Sequence, residues 1–209
     1  MTDKEIHISE DEDVERAKAW WDNNKMSIIV GVGAGLAMVF GYNYWTAQKS
    51  QNAAAASSLY ETLVSEDSQG GKLAATDALT SEFGESVYAQ LALLRGAKQQ
   101  VENDQLSEAE QTLRTIMSSD EDLGIAAIAA MRLSGLLIGL DKIDEAKAVL
   151  SSPLLANDHY AARVNELNGD VLLKAGSTED AKLAYEKSIE LLTEQGQSVN
   201  LVQLKLENI

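Results

Sequence analysis

The sequence contains no cysteine, a single proline and only two histidines among its 209 residues. Without cysteine the chain can form no disulfide, no thiol nucleophile and no cysteine-ligated zinc site. The two histidines, His7 and His159, lie far apart in the sequence, so we expect no metal site that uses both. We expect no cofactor and no metal. The absence of cysteine is compatible with an oxidising compartment.

Strand patterns and a net basic charge are also missing. No sustained alternation of β-branched or aromatic residues occurs, whereas alanine and leucine are abundant, so we predict an all-α protein.

The formal net charge is −16, of which −4 belongs to residues 1–25 and −12 to the remainder. This excess of acid excludes nucleic acid as a partner, because nucleic-acid binding needs a basic face. It favours solubility or, alternatively, attraction to basic partners.

Residues 26–45, MSIIVGVGAGLAMVFGYNYW, contain no charged side chain. At about 1.5 Å per helical residue, a run of about 20 apolar residues crosses the roughly 30 Å hydrocarbon core of a bilayer. Aromatic side chains flank the run on both sides, as is typical of residues at the depth of the lipid headgroups. We therefore predict a transmembrane helix with membrane-interface anchors at Trp20, Trp21, Lys25, Tyr42, Tyr44 and Trp45.

A nucleotide-binding loop and a signal peptide both fit this stretch less well. A dinucleotide-binding fingerprint needs a third glycine at the position that Leu36 occupies, and no strand precedes it. A secretory signal peptide has a basic leader and a shorter apolar run, whereas residues 1–25 carry eight acids and four bases. The run Ala53-Ala54-Ala55 could satisfy a cleavage site, so a cleaved, secreted protein is the competing hypothesis.

The basic residues near the span predict its orientation. Arg16, Lys18 and Lys25 precede it closely, while Lys49 is the only base within about twenty residues after it. By the positive-inside rule the N-terminus faces the cytoplasm. Residues 46–209 then lie in the periplasm of a bacterial inner-membrane protein.

Small residues recur within the span. Gly31 and Gly35 form a G-x-x-x-G pair, and a second set repeats every four positions. Such patterns let another helix approach closely, although glycine is also simply common in membrane helices. The candidate residues for transmembrane helix packing are Gly31, Gly33, Gly35, Ala37 and Gly41.

The remainder of the chain contains a repeat. The segments DQLSEAEQTL at 104–113, DKIDEAKAVL at 141–150 and GSTEDAKLAY at 176–185 align on central alanines that are 37 and 35 residues apart. A period of this length predicts stacked helix pairs. The central alanines are Ala109, Ala146 and Ala181, and a larger apolar side chain follows each by four residues on the same helix face, Leu113, Leu150 and Tyr185.

The third unit shows how one pair forms. A first helix from about Tyr160 to Lys174 ends at Gly176, which permits a left-handed turn, and Ser177 or Thr178 caps the next helix. In the tail LVQLKLENI, the apolar residues Leu201, Leu204 and Ile209 indicate an amphipathic helix. We expect this final helix to cover the last groove of the stack rather than to be a partner-binding peptide.

These units resemble the tetratricopeptide repeat, in which a small residue on the first helix meets an alanine twelve residues later. The corresponding pairs are Ala97 with Ala109, Ser134 with Ala146, and Gly169 with Ala181. The units lack the family's tryptophan and repeat-ending proline. The expected organisation is a leader at 1–25, a transmembrane helix at 26–45, a membrane-proximal helix pair at 46–84, tetratricopeptide-like repeats at 85–195 and a capping helix at 196–209.

No sequence pattern indicates catalysis. The chain has no G-x-S-x-G elbow, no H-E-x-x-H helix and no phosphate-binding loop, so we expect no catalytic residues. Stacked helix pairs instead present an extended concave surface that suits a peptide or protein.

The whole layout resembles the YfgM family, the ancillary subunits of the bacterial SecYEG translocon. The resemblance rests on the approach VERAKAWWDNN, the end of the span GYNYW, the degenerate repeats and the tail VQLKLENI. It implies an inner-membrane scaffold that works beside the translocon with the membrane-anchored chaperone PpiD and passes secreted polypeptides to periplasmic chaperones. The alternative is a periplasmic scaffold for cell-envelope or division machinery.

Overall fold

The computed structural model describes residues 3–120 and 122–209, with side chains from residue 13 onward. The first part of the expected leader, with the side chain of His7, therefore lies outside the described residues. The described chain is helical and contains no strand, as the sequence predicts. Its helices are α1 (Asp3–Ser65), α2 (Gln69–Glu82), α3 (Val87–Glu102), α4 (Leu106–Met117), α5 (Leu123–Gly139), α6 (Ile143–Leu150), α7 (Ala161–Lys174), α8 (Thr178–Glu194) and α9 (Asn200–Glu207), with 3-10 turns at Pro153–Leu155 and Asp158–Tyr160.

The chain divides into two compact units, residues 1–53 and residues 54–209. The first unit, where it is described, is the N-terminal part of α1, and its large apolar side chains are exposed. Met38 and Phe40, for example, are 76% and 70% exposed. Apolar exposure on this scale is typical of a helix whose side chains face lipid rather than water.

The second unit is a stack of helix pairs. α3 packs on α4, α4 on α5, α5 on α6, and α7 on α5, α6 and α8. α5 lies in the middle of this stack and has the most buried residues, including four alanines that let its neighbours approach closely. The core joins successive pairs through fully buried leucines, among them Leu113, Leu133, Leu137 and Leu167. The first two pairs and α7 thus share one continuous core, as in other repeat proteins, whereas Ala181 and Tyr185 of α8 belong to a separate cluster.

The end of α1 shares a side-chain cluster with α2 and α3. Leu63 of α1 and Leu79 of α2 are fully buried in a cluster of their own, against which Tyr60 and Tyr88 pack with ring centres 5.9 Å apart. Ser68 caps α2, because its hydroxyl accepts a hydrogen bond from the amide of Gly71 at 3.1 Å.

Four helices end in the same tight turn. At the ends of α3, α5, α7 and α8, an amide donates to the carbonyl five residues earlier, and the residue before that amide has a positive φ. This pattern is the Schellman motif, which satisfies the last carbonyls of a helix. The positive-φ residues are Asp104 (60°), Asp141 (62°), Gly176 (82°) and Gly196 (67°). The first three occupy equivalent positions in the three repeats.

The expected caps of α8 do not form. Ser177 is the N-cap residue, but its side chain makes no capping hydrogen bond, and Thr178 is already within the helix. The equivalent residues Gln105 and Lys142 behave in the same way. The Schellman turn holds all three at ψ between 61° and 69°, whereas the capping residues Ser68 and Ser86 have ψ of 139° and 148°. A capping side chain needs that extended backbone to reach the free amides.

The tail also differs from the expectation. Leu201 and Leu204 are 59% and 57% exposed, whereas Val202 is buried and Leu206 and Ile209 pack beside it. Residues 202, 206 and 209 follow helical spacing as well as the predicted set does, so periodicity alone did not distinguish the two faces. The first helix of the third unit starts at Ala161, because residues 158–160 form a 3-10 turn.

Replacing Asp104 by glycine should stabilise the second unit. A left-handed backbone strains a residue that has a side chain, so Asp104→Gly is expected to raise the free energy of unfolding by about 0.5–1 kcal/mol. Asp104 is preferable to Asp141, which also faces Lys174 at 4.0 Å. Thermal unfolding of the full chain in detergent, followed by circular dichroism, measures the change.

The matched control is Gly176→Ala at the equivalent turn. A methyl group there meets no atom within 4 Å, so any loss comes from the backbone alone, and we expect a loss of about 1 kcal/mol. A decrease in stability for Asp104→Gly would show that the aspartate contributes more through its side chain than it costs through its backbone.

Candidate protein-binding site

The N-terminal part of α1 is the first candidate site. Among the described residues, it contains the one stretch of helix that is long and apolar enough to cross a membrane, with a mean hydropathy of 1.6 and no part of that window buried. A methyl group added at Gly31, Gly33, Gly35 or Gly41 would meet no atom within 4 Å. Small residues therefore leave open surface on this helix, and their role in packing remains a prediction.

The helix places these small residues in two rows. A helix turns about 100° per residue, so Gly31 and Gly35 lie on a face about 200° away from that of Gly33 and Ala37. Gly41 continues the second row. The span thus offers two separate narrow faces rather than one groove.

The predicted membrane-interface anchors are exposed at both ends of the span. Trp20, Trp21, Tyr42, Tyr44 and Trp45 are all at least half exposed. At the far end the Lys49 ammonium lies 5.4 Å from the centre of the Trp45 ring. At the near end Lys25 pairs with Asp22 at 2.8 Å. An aromatic ring beside a long basic side chain suits the headgroup region, although the anchoring role itself stays a prediction.

The predicted repeat-packing residues lie inside the helix pairs of the second unit. All of them are buried, and none of the side chains is more than 7% exposed. Gly169 has a specific reason to be small, since a Cβ there would lie 2.5 Å from the ring of Tyr185. These residues are Ala97, Ala109, Leu113, Ser134, Ala146, Leu150, Gly169, Ala181 and Tyr185.

A groove of about 650 Å³ opens beside the third pair. Three parts of the second unit line it: the N-terminal half of α5, the start of α7 with the turn before it, and the turn from α8 into α9. Its apolar residues include Ile125, Ile128, Met131, Leu201 and Val202. Ile128 is 37% and Leu201 59% exposed, so the groove presents apolar surface that a bound partner would remove from water.

Polar groups surround this apolar surface. Asp122, His159, Arg163, Glu166 and Gln197 are among the lining residues. The Asp122 carboxylate already accepts a hydrogen bond from the amide of Ile125 at 3.0 Å and caps α5. A concave apolar surface with a few fixed polar groups suits a peptide segment.

The most buried of these polar groups is Glu166, which is 4% exposed. It accepts hydrogen bonds from Lys205 at 2.8 Å and from Arg163 at 2.5 Å. Burial acts to raise the pKa of Glu166, but the hydrogen bonds and charges of Lys205 and Arg163 outweigh it and lower the pKa. The carboxylate is therefore held ionised beneath the groove.

Glu166 belongs to a cluster that the sequence patterns did not predict. Lys205 also donates to both oxygens of Asp170, at 2.7 and 2.6 Å, and the Tyr185 hydroxyl donates to Asp170 at 2.8 Å. Burial, together with the hydrogen bond to Asp170, raises the pKa of Tyr185, so this phenol remains protonated. The sequence does contain a feature that could have indicated this cluster. Glu166 and Asp170 lie four residues apart on one helix face, and Lys205 is the only base in the tail.

A second ionic cluster links neighbouring repeats. Glu110 of α4 accepts hydrogen bonds from Lys142 and from Arg114, each at 2.8 Å, and Arg114 also pairs with Glu145 of α6. The hydrogen bonds from Lys142 and Arg114 lower the pKa of Glu110. Glu110, Arg114 and Lys142 line a second, more open pocket along α4, next to the turn before α6. Since the acids and bases pair with each other, this pocket is better suited to joining the repeats than to holding a charged ligand.

No metal site emerges from the described ranges, in which no group of three or more histidine, cysteine, aspartate or glutamate side chains could hold an ion. His159 packs its ring against Tyr160, with ring centres 5.5 Å apart.

The comparisons with known proteins cover nearly the whole chain. The model of a tetratricopeptide repeat-like domain matches residues 18–209. Three similar proteins each bear the name ancillary SecYEG translocon subunit. The proteins from Haemophilus influenzae and Aggregatibacter actinomycetemcomitans are 28% and 31% identical to this chain, and each alignment covers 97% of this chain and 98% of the relative. The protein from Escherichia coli is 27% identical, and its alignment covers 98% of both chains. No solved structure matches the chain.

Loss of the Glu166 charge should weaken the third pair. Glu166→Gln is expected to lower the free energy of unfolding at pH 7 by about 1–3 kcal/mol, because Lys205 and Arg163 lose a buried anion. The folded pKa of Glu166 lies below its unfolded value, so this contribution is present above the unfolded pKa near 4.5 and disappears as the pH falls through the folded pKa. Thermal unfolding in detergent at pH 7 and at stepwise lower pH, followed by circular dichroism, measures both effects.

Glu190→Gln is the matched control. Glu190 also pairs with a lysine, Lys187 at 2.6 Å, but both side chains are at least half exposed. Exposed pairs of this kind contribute little to stability, because water screens both charges. Equal effects of the two substitutions would contradict a structural role for the buried carboxylate.

Proposed function

Since the chain belongs to the family of the ancillary SecYEG translocon subunits, whose common fold is the tetratricopeptide repeat-like domain, we propose that it is a non-enzymatic membrane scaffold associated with the SecYEG translocon. The observation that carries this proposal is the extent of the similarity. It runs through the apolar helix and the repeats together, over 97–98% of the chain, rather than through the repeats alone. Repeats of this kind occur in scaffolds with many different functions, so similarity in the repeats alone would not carry the proposal.

The proposed topology places the N-terminus in the cytoplasm and residues 46–209 in the periplasm of a bacterial inner membrane. Its support is the basic residues Arg16, Lys18 and Lys25 before the span, against Lys49 after it. The repeats would then be held close to the periplasmic end of the translocon.

In that position the repeats would bind partner proteins and assist the transfer of secreted polypeptides to periplasmic chaperones, together with a membrane-anchored chaperone similar to PpiD. The groove beside Ile128 supports a binding role, because it combines exposed apolar surface with fixed polar groups and is large enough for several side chains. Partners would bind through the groove, and the span would provide a second, intramembrane contact.

The two rows of small residues in the span provide the first test. A photocrosslinking amino acid at Gly35 or at Ala37 in living cells, followed by mild detergent extraction and mass spectrometry, should yield translocon subunits and a membrane-anchored chaperone from at least one row. Recovery of only the protein itself or of division proteins from both rows would favour the alternative scaffold in cell-envelope or division machinery.

The same rows can then be blocked separately. Gly31→Leu with Gly35→Leu fills one face, and Gly33→Leu with Gly41→Leu fills the other, so each double variant is the control for the other. Val32→Leu changes side-chain size without removing a small residue. Because Gly35 is itself replaced in the first double variant, partners of both variants are recovered by mild detergent extraction without a crosslinker and quantified by mass spectrometry. If both double variants recover the same partners as the unsubstituted chain, the span serves only as a tether.

The groove is tested by Ile128→Ser. Losing an apolar side chain from a binding surface is expected to weaken partner recovery by about tenfold, which corresponds to about 1.4 kcal/mol. The control is Leu173→Ser, since Leu173 has the same exposed fraction of 37% but does not line the groove. Quantitative mass spectrometry of co-purified chaperones measures both variants. An equal loss for both would indicate general destabilisation rather than a binding groove.

A further inference from the structure

α9 is bound to the rest of the second unit mainly through one lysine and one apolar edge. The Lys205 ammonium lies 2.8 Å from Glu166 Oε1 and within 2.7 Å of both Asp170 oxygens, and 5.9 Å from the centre of the Tyr185 ring. Both acids belong to α7, so this single side chain joins the last helix to the first helix of the third pair.

The acidic pair requires a cation. Glu166 is almost fully buried and Asp170 only partly accessible, and two carboxylates this close to each other repel when both are ionised. Arg163, which lies on the same helix, pairs with Glu166, whereas both oxygens of Asp170 accept from Lys205. Without an ammonium in this position, α7 would carry uncompensated charge in a poorly solvated place.

The apolar edge of α9 packs beside this charge. Val202 is buried in a cluster with Ala181 and Tyr185 of α8, and Leu206 and Ile209 pack against this cluster. Leu201 and Leu204, on the other side, remain more than half exposed. Such a division into one apolar docking edge and one open face is how amphipathic helices bind grooves in other proteins.

α9 has little intrinsic stability of its own. It comprises eight residues, and helices shorter than about 12 residues are marginal in water without tertiary contacts. The connection to α8 passes through Gly196 at a φ of 67° and then through residues that are largely exposed. α9 therefore resembles a docked peptide that remains attached to its receptor.

We propose that α9 is a displaceable intramolecular occupant of a helix-binding site on α7 and α8, and that the site accepts in its place an amphipathic partner helix bearing a lysine. The apolar side chains of that helix would match the spacing of Val202, Leu206 and Ile209, with the ammonium at the position of Lys205. Charge complementarity selects such a partner, because the site presents Glu166 and Asp170.

The site adjoins the groove already described, since Leu201 and Val202 of α9 also line that groove. A partner that enters the groove therefore contacts the first turn of α9. Displacement of α9 would extend the apolar surface beyond Ile128 and expose the acidic pair. The part of this inference that concerns a partner rests on the function proposed above, whereas the intramolecular part rests on the contacts of Lys205 and of the apolar edge of α9.

The chain itself supplies the probe. The probe is a fluorescent peptide with the sequence of residues 198–209, SVNLVQLKLENI. It is added in detergent to a chain truncated after Gln197 and, separately, to the intact chain. Fluorescence anisotropy measures binding to each. The truncated chain is expected to bind the peptide at least about tenfold more tightly than the intact chain, in which α9 competes at high effective concentration.

Variant peptides test the chemistry of recognition. Lys205→Gln in the peptide should weaken binding to the truncated chain by about tenfold or more, because it removes charge-assisted hydrogen bonds to two carboxylates. Leu204→Gln is the matched control, since Leu204 is exposed in the docked helix, and its binding should stay within about twofold. Equal binding to truncated and intact chains, or no effect of Lys205→Gln, overturns the proposal.

A second measurement applies if the truncated chain does not fold. In the full-length Lys205→Gln variant, hydrogen exchange of α9 amides should become faster while α7 and α8 keep their protection. Unchanged protection of α9, or loss of protection throughout α7 and α8, would show that α9 is an integral part of the fold and would overturn the proposal. Neither result would affect the crosslinks from the span, so the failure of this inference is separable from the failure of the proposed function.

Discussion

Every helix pair in the second unit's three repeats depends on a reversal of the chain within three residues. A residue with positive φ ends the first helix, and the next amide returns to the carbonyl five residues earlier, at 2.8–2.9 Å in all three repeats. Because this turn is so short, the second helix must start directly beside the end of the first. The two helices can then only lie close together, and this proximity demands small side chains where they meet.

Because the helices of each pair lie so close together, small residues are required where they cross. The packing of these pairs on one another in turn forms the groove. Gly169 lies under the Tyr185 ring, and the Ser188 hydroxyl donates to the Ala162 carbonyl at 2.8 Å, so α7 and α8 are fixed to each other at two levels. α5 and α7 pack on each other, and their N-terminal ends, together with the turn into α9, line one open concavity. The groove is thus a consequence of how the pairs stack.

Local patterns predicted the helices, the period of the repeat and the alanines inside the pairs, since each of these depends on residues close in sequence. The left-handed turns at Asp104 and Asp141 were not predicted, because only Gly176 carries the residue that usually indicates such a turn. The buried edge of α9 depends on Tyr185 and Lys205, a contact over 20 residues, and spacing cannot choose between two possible faces. The groove combines three non-consecutive segments, so no single segment reveals it.

The charge of the second unit acts through specific pairs as well as through its total. The second unit carries a large net negative charge. Two carboxylates that lie largely inside nevertheless form ion pairs with bases from another helix or turn. Lys142 of the turn before α6 binds Glu110 of α4, and Lys205 of α9 binds Glu166 of α7. Both pairs connect elements that the backbone alone would leave free to separate. Solvent screens the outer acids, whereas these inner pairs hold charges at fixed positions between neighbouring elements.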